Sequence, residues 1–308
     1  MTSRFLITGG AGFIGSHLAD ELLKRHASVV VLDDLSTGRR EHLSDEIDFI
    51  RGSVLDSDLI MKLAQGCTGI FHLAAIASVP KSNEDWIGSH HVNQTGTLTV
   101  FNASRASGSV PVVYASSAAV YGDQSADRIT EKAAARPLSP YGADKLGSEI
   151  HGHVAATLFG IPNIGLRFFN VYGPRQDSSS PYSGVISIFT AQALNNLPIT
   201  IYGDGRQTRD FVNVADVVSH LIQAMNILKR KDKKSGVFNV CTGKGKCVTD
   251  LAEMIISLLK SSSSISYVPS RFGDIESSVG NPEAARQSLG LSADIELKDG
   301  LSKMMNIY

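Results

Sequence analysis

Cysteine is scarce in this chain. Cys67, Cys241 and Cys247 are the whole complement, an odd number with no C-x-x-C pair, which argues against a disulfide framework and a zinc site. Charge of one sign is also lacking: 29 basic residues face 30 acidic ones, for a net charge of −1. Such a balance offers no broad attraction to nucleic acid or an anionic membrane, so neither is expected as a partner. No apolar run approaches the ~20 residues needed to span a bilayer. No signal peptide is expected before Phe5, because Phe5-Leu6-Ile7-Thr8 runs straight into Gly9-Gly10. Reduced thiols and these absences point to the cytoplasm. Metal is not expected either, since His90-His91 and His151-x-His153 lack further ligands at fitting spacing. Apolar content is not scarce. At 43% it supplies a full globular core and excludes disorder.

In the first half, short β-rich runs alternate with longer amphipathic or turn-bounded segments. The runs are Phe5–Thr8, Val29–Leu32, Asp48–Ile50, Ile70–Leu73 and Val110–Ala115. This alternation predicts an α/β fold with a doubly wound parallel sheet and helices on both faces. After about Phe168 the pattern loosens, with an irregular stretch around Ser178–Pro181, helices near Val185–Asn195 and Thr249–Lys260, and a basic loop at Lys229–Lys234 that reads as a solvated face. The expected organisation is a dinucleotide-binding domain over residues 1–170 and a smaller α/β substrate domain over 171–308. Segments near 212–240 are expected to return to the first domain. Ligands in such sheets bind at the carboxyl edge.

The glycine-rich turn Gly9-Gly10-Ala11-Gly12-Phe13-Ile14-Gly15 follows the first strand and opens a helix through Ser16–Lys24. Read as G-x-x-G-x-x-G, it provides a tight turn at Gly9, a side-chain-free approach for pyrophosphate at Gly12 and close helix–strand packing at Gly15. The next strand ends at Asp33, 18 residues beyond Gly15. A carboxylate there accepts hydrogen bonds from an adenosine ribose and repels a 2′-phosphate, so NAD is favoured. Arg39 and Arg40 keep NADP as the alternative.

A second constellation is Tyr141-Gly-Ala-Asp-Lys145, 24 residues beyond Ser117. Residues four apart share a helix face roughly 6 Å apart along the axis, so the Lys145 ammonium can approach the Tyr141 phenol. A free phenol titrates near pH ~10, and ionising it near neutrality takes about 4 kcal/mol of preferential stabilisation. The lysine and a positively charged nicotinamide ring are the expected sources, with Ser117 hydrogen-bonding the same reacting oxygen.

Together with Asp33, His72-Leu73-Ala74-Ala75, Asn93-x-x-Gly96-Thr97 and Leu166-Arg167-Phe168-Phe169-Asn170, these motifs resemble the extended short-chain dehydrogenase/reductases acting on nucleotide-sugars. Tyr202-Gly203-Asp204-Gly205, Thr208-Arg209-Asp210-Phe211 and Arg271-Phe272-Gly273-Asp274 extend the likeness to nearly the whole chain. Within that family the UDP-hexose 4-epimerases are most similar.

The resemblance implies a Rossmann-type NAD fold and assigns residues to it. Gly9, Gly12, Phe13, Ile14, Gly15, Asp33, Asp34, Ser36, Thr37 and Gly38 would hold the pyrophosphate and adenosine ribose. Ser53 and Val54 would border the adenine, in a Gly52-Ser53-Val54 run where the family usually has Gly-Asp-Ile or Gly-Asp-Val. Leu73, Ala74, Ala75 and Ala77 would line the cofactor with Asn93 nearby. Tyr141, Lys145 and Phe168 would lie at the nicotinamide, Phe168 standing where the family often has tyrosine. On the substrate side, Ser78, Ser117 and Asn170 would meet the sugar-nucleotide. Val185, Ile186, Thr200, Ile201 and Tyr202 would surround the uracil, Arg209 and Arg271 would neutralise the diphosphate, and Asp274 would orient the ribose.

The implied activity is epimerisation at carbon 4 through a transient 4-keto sugar, with Ser117, Tyr141 and Lys145 as the catalytic set. Resembling 4,6-dehydratases carry an acidic pair after the serine and resembling decarboxylases a glutamate, whereas this chain has Ala118-Ala119-Val120. Ser278 matches a position that is bulky in enzymes restricted to plain hexoses and small in those accepting N-acetylated sugars. The favoured substrates are therefore UDP-GlcNAc/UDP-GalNAc, with UDP-Glc/UDP-Gal also possible. UDP-glucuronate 4-epimerisation and non-catalytic dinucleotide binding are the alternatives. A homodimer built from the segment Trp86–Ser104 and the helix of Tyr141 is also implied.

Overall fold

The computed structural model describes residues 3–177, 184–230, 235–270 and 275–305. All of the Ser178–Pro181 stretch and most of the Lys229–Lys234 loop lie outside them, as do Arg271 and Asp274. Seven parallel strands form the main sheet: β1 (Arg4–Thr8), β2 (Ser28–Asp33), β3 (Asp48–Arg51), β4 (Gly69–His72), β5 (Val112–Ser117), β6 (Asn163–Phe168) and, after an intervening run of chain, a seventh at Gly236–Val240. The three strands between these are β7 (Asn170–Tyr172), β8 (Ile199–Tyr202) and β9 (Thr208–Asn213), so Gly236–Val240 is β10. Their order in the main sheet is β10-β6-β5-β4-β1-β2-β3.

Alternation along each strand divides the core. Phe5, Ile7, Val29, Val31, Phe71 and Val113 face one side and meet α1 (Phe13–Lys24). Leu6, Val30, Leu32, Ile70, Val112 and Tyr114 face the other, against α2 (Ser57–Ala64) and the helix Gly96–Ala106. Between them in sequence come α3 (Val79–Glu84), α4 (Trp86–His90) and a π-helical turn His91–Thr95, which makes Gly96–Ala106 α5. The long α6 (Pro140–Phe159) follows β5. It begins at Pro140 with Ser139 as its cap, the Ser139 hydroxyl accepting from the Gly142 N–H at 3.1 Å.

Strand β5 starts two residues later and ends two residues later than the β-rich run Val110–Ala115. Pro111 has no N–H for the ladder, and Ser116 and Ser117 continue the pairing with Arg167 and Phe168. The catalytic serine of the sequence reading is thus the last residue of the strand.

Later elements are α7 (Val185–Leu194), α8 (Val214–Leu228), β11 (Gly245–Cys247), α9 (Val248–Leu259), β12 (Ile265–Val268), β13 (Ser277–Ser278), α10 (Glu283–Leu289) and α11 (Leu297–Met305). Helix α8 sends Val217, Leu221 and Leu228 into the same core as α1, joined by Ala285 and Leu289 of α10. Ile186, Phe189, Ile199, Ile201, Phe211, Leu251, Ile255 and Leu301 form a separate core. It lies under small sheets in which β9 pairs with β7, β11 and β13, and β8 with β12. Among the described residues, no helix is long and apolar enough to cross a membrane.

Candidate active site

The order of the main sheet reverses between β1 and β4, the point at whose carboxyl edge sheets of this kind bind ligands. Gly9 follows β1 with a φ of +72°, which glycine adopts without strain. A Cβ on Gly15 would lie 2.2 Å from the Gly9 carbonyl oxygen, so the helix can approach the strand only with glycine there. A Cβ on Gly12 would meet nothing closer than that same oxygen at 3.3 Å, leaving its outer side open. Helix α1 starts at Phe13 without a side-chain cap, so the first-turn N–H groups of Phe13 and Ile14 are available to an anion. This cradle fits a dinucleotide pyrophosphate.

Asp33, at the end of β2, does more than the sequence reading assigned to it. One carboxylate oxygen accepts from Ala11 N–H at 3.0 Å and the other from Leu35 N–H at 2.8 Å. It therefore fastens the glycine turn to the loop carrying Asp34, Ser36, Thr37 and Gly38, and its remaining lone pairs are left for a ribose. Burial raises its pKa, against the lowering by these backbone donors. Arg39 stands 4.0 Å from Glu41 and 3.9 Å from Asp177, and Arg40 bonds Asp45 and the Leu43 carbonyl. Both arginines have carboxylate neighbours, which weakens the case for a 2′-phosphate.

Val54 is buried against Gly96, while Ser53 accepts from the Leu55 N–H at 3.1 Å. Past β4, the backbone of Leu73 and Ala74 passes directly beneath Gly9, followed by Ala75 and the exposed Ala77. Asn93, expected near the cofactor, clamps this loop: its side-chain oxygen accepts from Ile76 N–H at 2.8 Å and its amide donates to the Ile76 carbonyl at 3.3 Å. The π turn carries Asn93, and it had no signal in the hydrophobic period.

His72 ends β4 inside a closed chain of hydrogen bonds. Thr97 Oγ1 donates to the Asn93 carbonyl at 2.6 Å, so the His72 imidazole donates to Thr97 from Nε2 at 3.0 Å and accepts from Thr8 at Nδ1 at 2.7 Å. Burial, with the Lys145 charge nearby, pushes its pKa down to about 3. It is a neutral, satisfied core histidine.

Two of the three residues expected to react, Tyr141 and Lys145, lie on α6, and Ser117 faces them from the end of β5. Tyr141 hydrogen-bonds Ser117, and Lys145 Nζ lies 5.8 Å from the Tyr141 ring centroid. The Tyr141 backbone N–H, in the helix's first turn, donates to Ser82 Oγ at 3.2 Å. Lys145 is 3% exposed, and burial pulls its pKa down to about 8 against the raising influence of Asp144. The sequence reading expected the phenol to be lowered. In the protein alone, enclosure raises the Tyr141 pKa, and the Ser117 hydrogen bond only opposes this. A nicotinamide ring bound here would supply positive charge that opposes this rise.

Phe168 is buried and pairs with Ser117 across β6 and β5. Asn170 is exposed at the start of β7. Ser78 caps α3, accepting from the Lys81 N–H at 3.2 Å. Along β8 the side chains alternate: Ile201 enters the core, whereas Thr200 and Tyr202 lie on the other face. Ile186 is likewise in the core, with Val185 half-buried beside it. Ser278 and Arg209 are partners in the β13–β9 register, which puts the expected size gate next to the expected diphosphate ligand. No group of three or more candidate metal ligands occurs among the described residues.

A model of the NAD dependent epimerase/dehydratase family matches residues 5–241. This chain belongs to that family. A UDP-glucose 4-epimerase of Mycolicibacterium smegmatis is 36% identical over 312 residues, covering 99% of this chain and 98% of the relative. A UDP-N-acetyl-alpha-D-glucosaminuronate decarboxylase of Bacillus cytotoxicus is 37% identical over 279 residues, covering 87% and 84%. The solved structure of a UDP-N-acetylglucosamine 4-epimerase from Methanobrevibacter ruminantium M1, in complex with UDP-N-acetylmuramic acid, superposes with a TM-score of 0.93 at 32% identity over 99% of this chain and 98% of that one. NAD is the family's cofactor, and the extended short-chain dehydrogenase/reductase resemblance read from the motifs is correct.

Lys145 makes a prediction about stability. Its native pKa of about 8 lies below the ordinary 10.5, so between these pH values the unfolded chain binds the extra proton and stability rises with pH. Below pH 8 the buried charge costs about 3 kcal/mol. Lys145→Met is expected to be more stable than the parent at pH 7, with the difference shrinking from pH 8 toward 10.5. Chemical denaturation across that range measures it, and a pH-independent difference would contradict the assignment.

Proposed function

We propose that this chain is a UDP-sugar 4-epimerase acting on UDP-GlcNAc/UDP-GalNAc, with UDP-Glc/UDP-Gal as a second pair. The observation that carries the reading is the Tyr141–Lys145–Ser117 group at the carboxyl edge of the NAD-type sheet, followed by an Ala118–Val120 turn with no acid. The two carboxylates of α6 in this region are engaged elsewhere: Asp144 with His90 at 2.7 Å and Glu149 with Arg167 at 2.6 Å. Neither is a spare acid for dehydration or decarboxylation, which distinguishes this site from the chemistry named for the B. cytotoxicus relative.

The bound dinucleotide supplies a reversible hydride acceptor. Gly9, Gly12 and Gly15 with the first turn of α1 would hold its pyrophosphate, and Asp33 its ribose. Tyr141, as phenolate, takes the proton from the sugar's 4-hydroxyl, with Lys145 stabilising the anion and Ser117 hydrogen-bonding the reacting oxygen. The 4-keto sugar turns its other face inward and Tyr141 returns the proton, inverting carbon 4 without net oxidation. Arg209 would neutralise the diphosphate, where a planar guanidinium meets phosphate oxygens well. Ser278 beside it leaves volume for an acetamido group, and the M. ruminantium neighbour, named for UDP-N-acetylglucosamine, is consistent with that preference.

The proposed homodimer would use α4, α5 and α6. Trp86 (67% exposed), Ile87 (74%) and Leu98 on α4 and α5, and Ile150, Val154 and Leu158 on α6, turn apolar surface outward, whereas Val100 and Phe101 are core.

Coupled assays on UDP-GlcNAc, UDP-Glc and UDP-glucuronate test the reading, with turnover expected on the first two and fastest on the first. Tyr141→Phe should retain bound NAD and lose at least about 10²-fold in turnover; near-parental turnover would remove Tyr141 from the mechanism. Ser278→Tyr should suppress turnover of the N-acetylated pair far more than of the plain hexoses, and equal loss on both would refute the gate. Light scattering at micromolar concentration should give twice the chain mass, and a monomer mass would overturn the dimer.

A further inference from the structure

Immediately behind the reacting groups lies a row of polar side chains that the reaction does not use. Ser116, Arg167 and Asn239 are register partners on the adjacent strands β5, β6 and β10, one residue back from the row Ser117, Phe168, Val240. Arg167 grips Glu149 of α6 bidentately, from Nε to Oε1 at 2.8 Å and from Nη2 to Oε2 at 2.6 Å. Ser116 donates to Glu149 Oε1. The other end of the guanidinium donates to the Tyr121 hydroxyl at 2.8 Å, which donates to Asn239 Oδ1 at 2.6 Å. The Asn239 N–H donates to Glu131 Oε1 at 2.7 Å. Ser116, Tyr121, Glu149, Arg167 and Asn239 are each at most 7% exposed.

A buried ion pair of this kind adds little net stability, and apolar residues of similar volume often serve as well or better. What it does supply is fixed geometry: a bidentate guanidinium–carboxylate pair permits one relative orientation. Glu149 is four residues beyond Lys145 and shares its helix face. Ser116 is bonded to Ser117. The pair therefore connects the helix carrying Tyr141 and Lys145 to the strand end carrying Ser117.

We infer that Glu149, Arg167 and Ser116 are positioning residues that fix α6 against β5 and β6, so that the Tyr141 phenol, the Lys145 ammonium and the Ser117 hydroxyl meet at one point. This rests on the 4-epimerase reading. Misplacing a reacting group by about 1 Å can cost 10²-fold in rate without weakening binding. The substrate's nucleotide, by contrast, is assigned to other elements.

The test uses the full-length, NAD-loaded protein. Glu149→Leu/Arg167→Met replaces the pair with apolar volume, and Ser116→Ala removes a single hydrogen bond. For the double variant we expect a melting temperature within about 5 °C of the parent, undiminished NAD content, an unchanged KM for UDP-GlcNAc, and a kcat lowered about 10- to 100-fold. Ser116→Ala should lower kcat about 3- to 10-fold at constant KM. A purely structural role predicts lost folded protein or lost NAD with parental kcat per loaded molecule, and that result overturns the inference. So does parental kcat in Ser116→Ala, should the double variant fail to fold. An active parent whose variants are unaffected overturns the positioning role alone, whereas a parent inactive on every UDP-sugar overturns the 4-epimerase reading and this inference with it.

Discussion

A buried ammonium set 5.8 Å from the ring centroid of a half-buried phenol is the constraint to which the rest of this site answers. Lys145 is nearly inaccessible, and burial, opposed by the Asp144 charge, pulls its pKa down to about 8. Its Nζ stands 5.8 Å from the centroid of the Tyr141 ring, and an ammonium close to a phenol favours the phenolate. Yet the protein by itself leaves that phenol raised, since enclosure penalises its anion more than the Ser117 hydrogen bond favours it. A cationic nicotinamide ring bound beside it would supply positive charge in the opposite direction. In the proposed mechanism, oxidised cofactor would thereby favour the ionised form of Tyr141.

Much of the surrounding polar structure keeps that charge acceptable. His72, close enough for Lys145 to lower its pKa, is held neutral between Thr8 and Thr97. Asp144 is drawn toward His90, and Glu149 is neutralised by Arg167. On the cofactor side, Asp33 ties the glycine turn to the next loop, and Asn93 ties the loop after β4 to the π turn. The first half of the chain thus shapes the expected cofactor cradle from backbone geometry fastened by Asp33 and Asn93.

The sequence made the main sheet legible wherever a β-rich run met a glycine or serine cluster, as at Phe5–Thr8 and Val29–Leu32, and the Gly9–Gly15 turn identified itself by spacing. Tyr141 and Lys145 were visible because four residues make one helical turn. Less visible were features whose meaning depends on a distant partner. Strands β7, β11 and β13 have two or three residues each and exist only through pairing with β9. The π turn disrupts the period that would have revealed Asn93's role, and nothing local distinguishes Ser82 as the acceptor for the Tyr141 N–H. Nothing local distinguishes Glu149 from an ordinary helix glutamate; its partner Arg167 is on β6. Ile186 and Ile201 matched uracil-side positions by motif, but strand alternation and helix facing send their side chains into the core.

The central claim is that carbon 4 of a UDP-hexose gives up its hydrogen inside this crevice and receives the same one back, with Tyr141 carrying only the hydroxyl proton. The most direct measurement is the fate of deuterium placed at carbon 4 of UDP-GlcNAc and followed by mass spectrometry and NMR through epimerisation in ordinary water. The account predicts that the epimer keeps the label at carbon 4. Release of the deuterium to solvent during turnover would mean that this hydrogen leaves as a proton, contradicting the account.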